Sequence, residues 1–188
     1  MSGRPIRAFL GLEIPKTVRS KLANAVDDLR GELPRARWTR PLGWHLTLKF
    51  LGETDRNELA ELTAELAPRV RGLEPVTVDL SETGFFPSTA RPSVAWLGGS
   101  AIGAGVVVDK VEEAAEITGF RRERRPWSVH LTLARLKERW PEVAVERFLA
   151  WGEGLDLERF TCPEVVLFSS DLQPGGAVYT ALERFSFR

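Results

Sequence analysis

The sequence predicts an α/β (α+β) fold of two related lobes, with mixed or antiparallel sheets lining a shared cleft and helices packed outside. Three observations carry this. A four-residue motif occurs twice, as His45-Leu46-Thr47-Leu48 and His130-Leu131-Thr132-Leu133, 85 residues apart in a chain of 188. Strand-like and helix-like segments interleave, yet several strands are consecutive, which favours mixed or antiparallel pairing. Much of the order of elements in the first half recurs in the second. The two motif histidines are the only histidines in the chain. That two arbitrary histidines share a following Leu-Thr-Leu has a probability on the order of 10⁻³ or less.

Taken in order, residues 7–14 are apolar and alternating, a strand. Pro15 suits a helix start, and Val18, Leu22, Ala25, Val26 and Leu29 recur at helical spacing up to Gly31. The first motif strand, 44–51, stops near Gly52. Asp55 fits the N-cap of a helix that reaches about Val70, with Leu59, Leu62 and Leu66 inward. Residues 76–80 alternate as a strand, 84–92 read as a loop, and 93–97 form a strand closed by Gly98-Gly99. A helix covers 105–117, its start blurred by Val106, Val107 and Val108, which are poor helix formers. The second motif strand spans about 128–135. Trp140-Pro141 opens a helix to about Trp151, and strands near 155–160, 164–170 and 177–187 finish the chain.

Strand periodicity says how each motif presents its chemistry. Alternation puts Leu46, Leu48 and Phe50 on one face and His45, Thr47 and Lys49 on the other. In the second motif Val129, Leu131 and Leu133 pack inward, with His130 and Thr132 opposite. Each strand thus sets an imidazole beside a hydroxyl. Histidine exchanges protons near neutral pH, and a hydroxyl donates to an anionic oxygen. Two such strands make a cleft suited to in-line displacement at phosphorus, one histidine activating water and the other protonating the leaving oxygen.

Composition narrows the field. Twenty-six basic and 26 acidic residues balance, so the whole molecule is no basic nucleic-acid glove. Locally, Arg35, Arg37 and Arg40 precede the first motif, Arg121, Arg122, Arg124 and Arg125 precede the second, and Arg135, Lys137 and Arg139 follow it. Such grouping beside both histidines is what an electrostatic funnel for a phosphate end needs. One cysteine, Cys162, excludes an internal disulfide. No His-x-x-x-His or Cys-x-x-Cys spacing, phosphate-binding glycine loop or G-x-S-x-G elbow occurs. No apolar run approaches a membrane span, and Met1 to Pro5 leads into a strand without a secretory stretch. A cytoplasmic protein is expected.

The motif pair and its flanks resemble the two-histidine phosphoesterase superfamily, and within it the RNA 2′,3′-cyclic phosphodiesterases of the LigT/ThpR group. The matching segments are 7–12, His45 through Glu53, Gly84-Phe85-Phe86-Pro87 with Arg91, 94–98, His130 through Arg135, 167–170 and 176–179. The resemblance implies a bilobal, pseudo-two-fold fold over residues 1–188. It implies His45 as proton donor, His130 as proton acceptor, and Thr47, Thr132 and Arg135 as phosphate ligands, with no cofactor and no metal. Plain alternation sets Arg135 on the Leu133 face, so it reaches the phosphate only if the strand twists or ends there. The implied substrates are RNA 3′ ends or nucleotides bearing a 2′,3′-cyclic phosphate, acted on by a monomer without a membrane partner. Hydrolysis to a 2′-phosphomonoester is the expected reaction. Its reverse, 2′-5′ RNA ligation, needs the same residues, and an RNA-end-binding module is the non-catalytic alternative. Trp44, Phe85, Phe86 and Trp127 are candidates for stacking on a base, with core packing the default for each. Lys49 is a further candidate on the His45 face.

Overall fold

Strand pairing is antiparallel throughout the described residues, 4–174 and 176–188 of the computed structural model, and the strands sort into two sheets. Met1, Ser2 and Gly3, read above as the lead into the first strand, lie outside the described residues, as does Gly175. The first sheet runs in the order β3 (His45–Thr54), β1 (Ile6–Glu13), β8 (Glu164–Gln173), β9 (Gly176–Ser186). The second runs β2 (Arg37–Trp38), β6 (His130–Arg135), β5 (Arg91–Ile102), β4 (Val76–Ser88), β7 (Phe160–Cys162). β3 is thus an edge strand, and only two-residue β2 lies outside β6. The motif strands meet across the gap between the sheets.

Helices follow their sequence signals. α1 (Lys16–Arg30) begins after Pro15 and buries Val18, Leu22, Val26 and Leu29. α2 (Arg56–Val70) starts at a reciprocal cap in which Asp55 accepts from the Asn57 and Glu58 amides while Glu58 accepts from the Asp55 amide. α3 (Ala104–Ile117) follows Gly103, whose φ of +86° only glycine adopts freely, and α4 (Glu142–Glu153) follows Pro141. One continuous core runs from β1 through all four helices to Phe187.

Several expectations are corrected. The loop expected over 84–92 is the end of a long hairpin, with Gly84, Phe85 and Phe86 paired to Trp96, Ala95 and Val94, and only Thr89 and Ala90 in the turn. The glycine there serves packing. A Cβ on Gly84 would sit 2.3 Å from the Trp96 ring, and one on Gly98 would sit 2.9 Å from it. β5 likewise continues past Gly98-Gly99 to Ile102, opposite an extra residue, Ser81, in β4. The strand expected over 155–160 is irregular until β7, and β2 with the 3₁₀ turn Pro41–Gly43 was not foreseen.

The corrections that matter for the site come from two bulges. Against β1, Thr47 pairs with Gly11 and Lys49 with Leu10, which leaves Leu48 as the extra residue. Against β5, Thr132 pairs with Trp96 and Ala134 with Ala95, which leaves Leu133 as the extra residue. Both fall on the last residue of the motif, and an extra residue reverses the side-chain alternation beyond it. Lys49, expected on the His45 face, is therefore buried at 2% exposure, and Phe50, expected in the core, is 61% exposed.

Lys49 is stabilised where it lands. Its ammonium donates to Glu112 of α3 at 2.8 Å and to the Arg121 carbonyl at 2.9 Å, and Glu112 also accepts from the Glu123 amide. Trp127 Nε1 donates to the Thr47 carbonyl at 2.7 Å. The segment leading to His130 is thereby fastened onto the strand bearing His45. Removing one partner of a buried ion pair leaves an uncompensated charge. Lys49→Met or Glu112→Leu alone should therefore cost about 3–5 kcal/mol in urea denaturation, and the double variant much less. Single losses under about 1 kcal/mol would show that water reaches the pair.

Candidate active site

Both histidines are held alike. His45 Nδ1 donates to the Gly43 carbonyl at 2.7 Å, and His130 Nδ1 donates to the Ser128 carbonyl at 3.0 Å, each two residues back. A carbonyl can only accept, so Nδ1 keeps its proton and Nε2 is the atom left for proton transfer. Surroundings differ. His45 lies against Phe9, with ring centroids 4.4 Å apart, and meets Tyr179 edge-on at 4.9 Å. Burial holds its pKa down at about 4, His130 adds repulsion, and the Gly43 carbonyl opposes both. The His130 hydrogen bond is exposed where that of His45 is partly buried, and among the described residues the ring meets one aromatic side chain, Phe86, edge-to-face at 5.3 Å.

A cleft of about 420 Å³ between the sheets brings together His45, Thr47, His130, Thr132 and Arg135. All five predicted site residues therefore share one space. Arg135 joins because of the bulge at Leu133. With alternation reversed beyond that residue, Leu133 and Ala134 are both buried and Arg135 is exposed into the cleft. Phe50 occupies the corresponding place in the first lobe, five residues after its histidine, by the same device. The related lobes thus offer one cation and one aromatic ring at matched positions.

The cleft wall is positive. Arg7, Arg37, Arg40 and Arg135 line it, and among the described residues no aspartate or glutamate does. A chain of zero net charge has put its carboxylates elsewhere, which focuses potential on an anionic ligand. The rest of the expected funnel lies outside this wall. Arg35, Arg121, Arg124, Arg125, Lys137 and Arg139 do not line the cleft, and Arg122 pairs with Asp109 and Glu116. Trp44 is buried with its Nε1 on Thr39 at 2.7 Å, Phe85 packs on Trp140 and Phe148, and Trp127 bonds the Thr47 carbonyl. Phe86 is half-exposed in the cleft, where sequence had placed it among the candidates.

Phe50 and Tyr179 were missed as site residues. Tyr179 was visible only as part of a matching flank. Nothing local marks a bulge at Leu48, and without it Phe50 has the alternation of a core residue. Arg7 was likewise noted only as a flank.

With two matched motifs facing one cleft, comparison with known proteins decides the family. The family described as LigT like Phosphoesterase matches residues 12–96 and 103–179. The chain belongs to this family. An RNA 2′,3′-cyclic phosphodiesterase of Thermus thermophilus is 36% identical to it, over 97% of this chain and 91% of that protein. The crystal structure of TT0787 from Thermus thermophilus superimposes with a TM-score of 0.77 at 29% identity, covering 97% of this chain and 98% of that one. LigT of E. coli, whose crystal structure in complex with 3′-AMP covers 98% of this chain and 99% of its own, shares the fold with a TM-score of 0.73 at 23% identity. The chain is an α/β phosphoesterase, with two antiparallel sheets and four α-helices among the described residues. No helix of the described residues is long and apolar enough to cross a membrane.

Burial of His45 has a pH signature. Its folded pKa, about 4, lies below the ordinary 6.5, so the unfolded chain takes up the proton first as pH falls. The neutral ring's contribution to stability is present in full above pH 6.5 and is lost as pH drops through 4. NMR titration should find the His45 midpoint near 4 in the free phosphoesterase, rising when inorganic phosphate fills the cleft. His45→Gln should flatten the stability profile between pH 6.5 and 4. A free-state midpoint at 6.5 or above would refute the burial account.

Proposed function

We propose that residues 1–188 work as one bilobal unit that hydrolyses terminal 2′,3′-cyclic phosphodiesters of RNA, or of nucleotides, to 2′-phosphomonoesters. The observation that carries this is the meeting of two equivalently held imidazoles and two motif threonines in one arginine-lined cleft. The Thermus thermophilus relative, an RNA 2′,3′-cyclic phosphodiesterase, supports the same substrate class.

In this reading His130, the more open ring, accepts a proton from water through Nε2. His45 protonates the oxygen that leaves across the phosphorus. Thr47, Thr132 and Arg135 donate to the non-bridging oxygens, where charge grows in the transition state. The free enzyme holds His45 neutral at pH 7, so the negative charge of the bound substrate must raise its pKa and draw a proton onto it from solvent. That proton then passes to the departing oxygen as its negative charge grows. The chemistry is proposed to run without a metal. In support, no group of three His, Cys, Asp or Glu side chains converges among the described residues.

Digestion of 2′,3′-cyclic AMP should yield 2′-AMP on chromatography against 2′-AMP and 3′-AMP standards, and should survive exhaustive EDTA. Predominant 3′-AMP would reverse the assignment of His45 to the 3′-oxygen. Activity lost to EDTA and restored by a divalent ion would overturn the metal-free mechanism.

His45→Ala and His130→Ala should each cost about 10²–10⁴ in kcat. Thr47→Val and Thr132→Val should each cost about 10- to 10³-fold, as single donors. The double histidine variant should lose far less than the product of the single losses, because the two rings act as a unit. Full activity in His130→Ala would remove the central claim.

A further inference from the structure

The second sheet carries a pairing that folding alone does not favour. Arg37 of β2 and Arg135 of β6 are register partners, so two arginines stand opposite each other on one face of an antiparallel pair. Like charges so placed are destabilising. Neither they nor Arg40 enters an ion pair with a carboxylate among the described residues. The Arg37 guanidinium extends to the β8–β9 hairpin, where a Cβ on Gly176 would lie 3.6 Å from it. Arg37 therefore stands at the mouth between the two lobes.

The charge is lopsided. In the first lobe Phe50 takes the place of Arg135, and Arg7 has Glu53 as its register partner across β1 and β3. A single cyclic phosphate carries one negative charge, which the two threonines and Arg135 suffice to hold. Of the other arginines on the cleft wall, Arg7 belongs to the first sheet, and Arg37 and Arg40 are left over beside Arg135. On a terminal nucleotide the reacting phosphate spans the 2′ and 3′ oxygens, and the rest of an RNA chain leaves from the 5′ oxygen of the same ribose through another phosphodiester.

We propose that Arg37, with Arg40, forms a second phosphate subsite for that phosphodiester, so that the cleft selects RNA chain ends over cyclic mononucleotides. This rests on the cyclic phosphodiesterase reading above. It also fixes the direction of the bound chain, which leaves the cleft beside β2 and the β8–β9 hairpin.

The test compares an adenosine trinucleotide ending in a 2′,3′-cyclic phosphate with 2′,3′-cyclic AMP. The trinucleotide should have a kcat/KM about tenfold or more higher, through KM. Arg37→Gln should raise the trinucleotide KM about tenfold more than the mononucleotide KM, the effect of losing one charged contact, and Arg37→Lys should restore part of it. The logarithm of the trinucleotide KM should rise more steeply with log salt, by roughly 0.7 per additional phosphate contact. A melting temperature of Arg37→Gln equal to or above that of the unsubstituted protein, as relief of the Arg37–Arg135 repulsion requires, would separate loss of contact from loss of fold. Equal kcat/KM for both substrates, or an equal KM shift in Arg37→Gln, would overturn the subsite while leaving the phosphodiesterase reading intact. Equal shifts would place Arg37 on the reacting phosphate. Turnover of neither substrate would overturn both.

Discussion

An extra residue at the end of each motif, Leu48 in β3 and Leu133 in β6, decides which side chains beyond the motif reach the cleft. A regular strand would offer the cleft every second side chain and bury those between. The bulge lets histidine and threonine use the first half of that rule and reverses it afterwards. Its products differ by lobe. In β6 it delivers Arg135 beside Thr132, and in β3 it delivers Phe50 to the cleft and sends Lys49 into the interior. A single backbone device, used twice on non-identical flanks, converts a nearly two-fold cleft into one with a cationic side and an aromatic side.

The interior lysine then closes a loop of dependence between the lobes. Its partner Glu112 sits on α3, and both grip the segment 121–123 that leads toward His130. Trp127 adds a bond to the Thr47 carbonyl on edge strand β3. The two histidines belong to different sheets, yet the chain between them is tied to both. Their relation is set by buried, hydrogen-bonded contacts, where the low local dielectric makes each bond costly to lose.

Packing distinguishes the two histidines although their hydrogen bonding is the same. His45 is wrapped by Phe9, Phe168 and Tyr179 and loses its proton early. His130 stays open beside Phe86. Four arginines without a carboxylate create the field that draws an anion between them. That field is a property of placement, because the chain as a whole is neutral.

How much of this was legible in advance depended on the range of the cause. The motif pair, the helices with their caps and apolar stripes, and the two-lobe plan follow from local period and repetition, which a linear chain displays directly. His45, Thr47, His130 and Thr132 were readable because they precede the bulges, where simple alternation still holds. Arg135 and Phe50 follow them, and there it fails. The hairpin over residues 76–102 was masked by Gly84, Gly98 and Gly99, which look like turn signals but make room for the Trp96 ring and a close backbone approach. By itself the sequence determined where the paired imidazoles and hydroxyls fall and how the elements succeed one another. Only the tertiary structure decided which side chains after each motif face the cleft, because the parity of a strand beyond a bulge depends on its pairing with a partner distant in the chain.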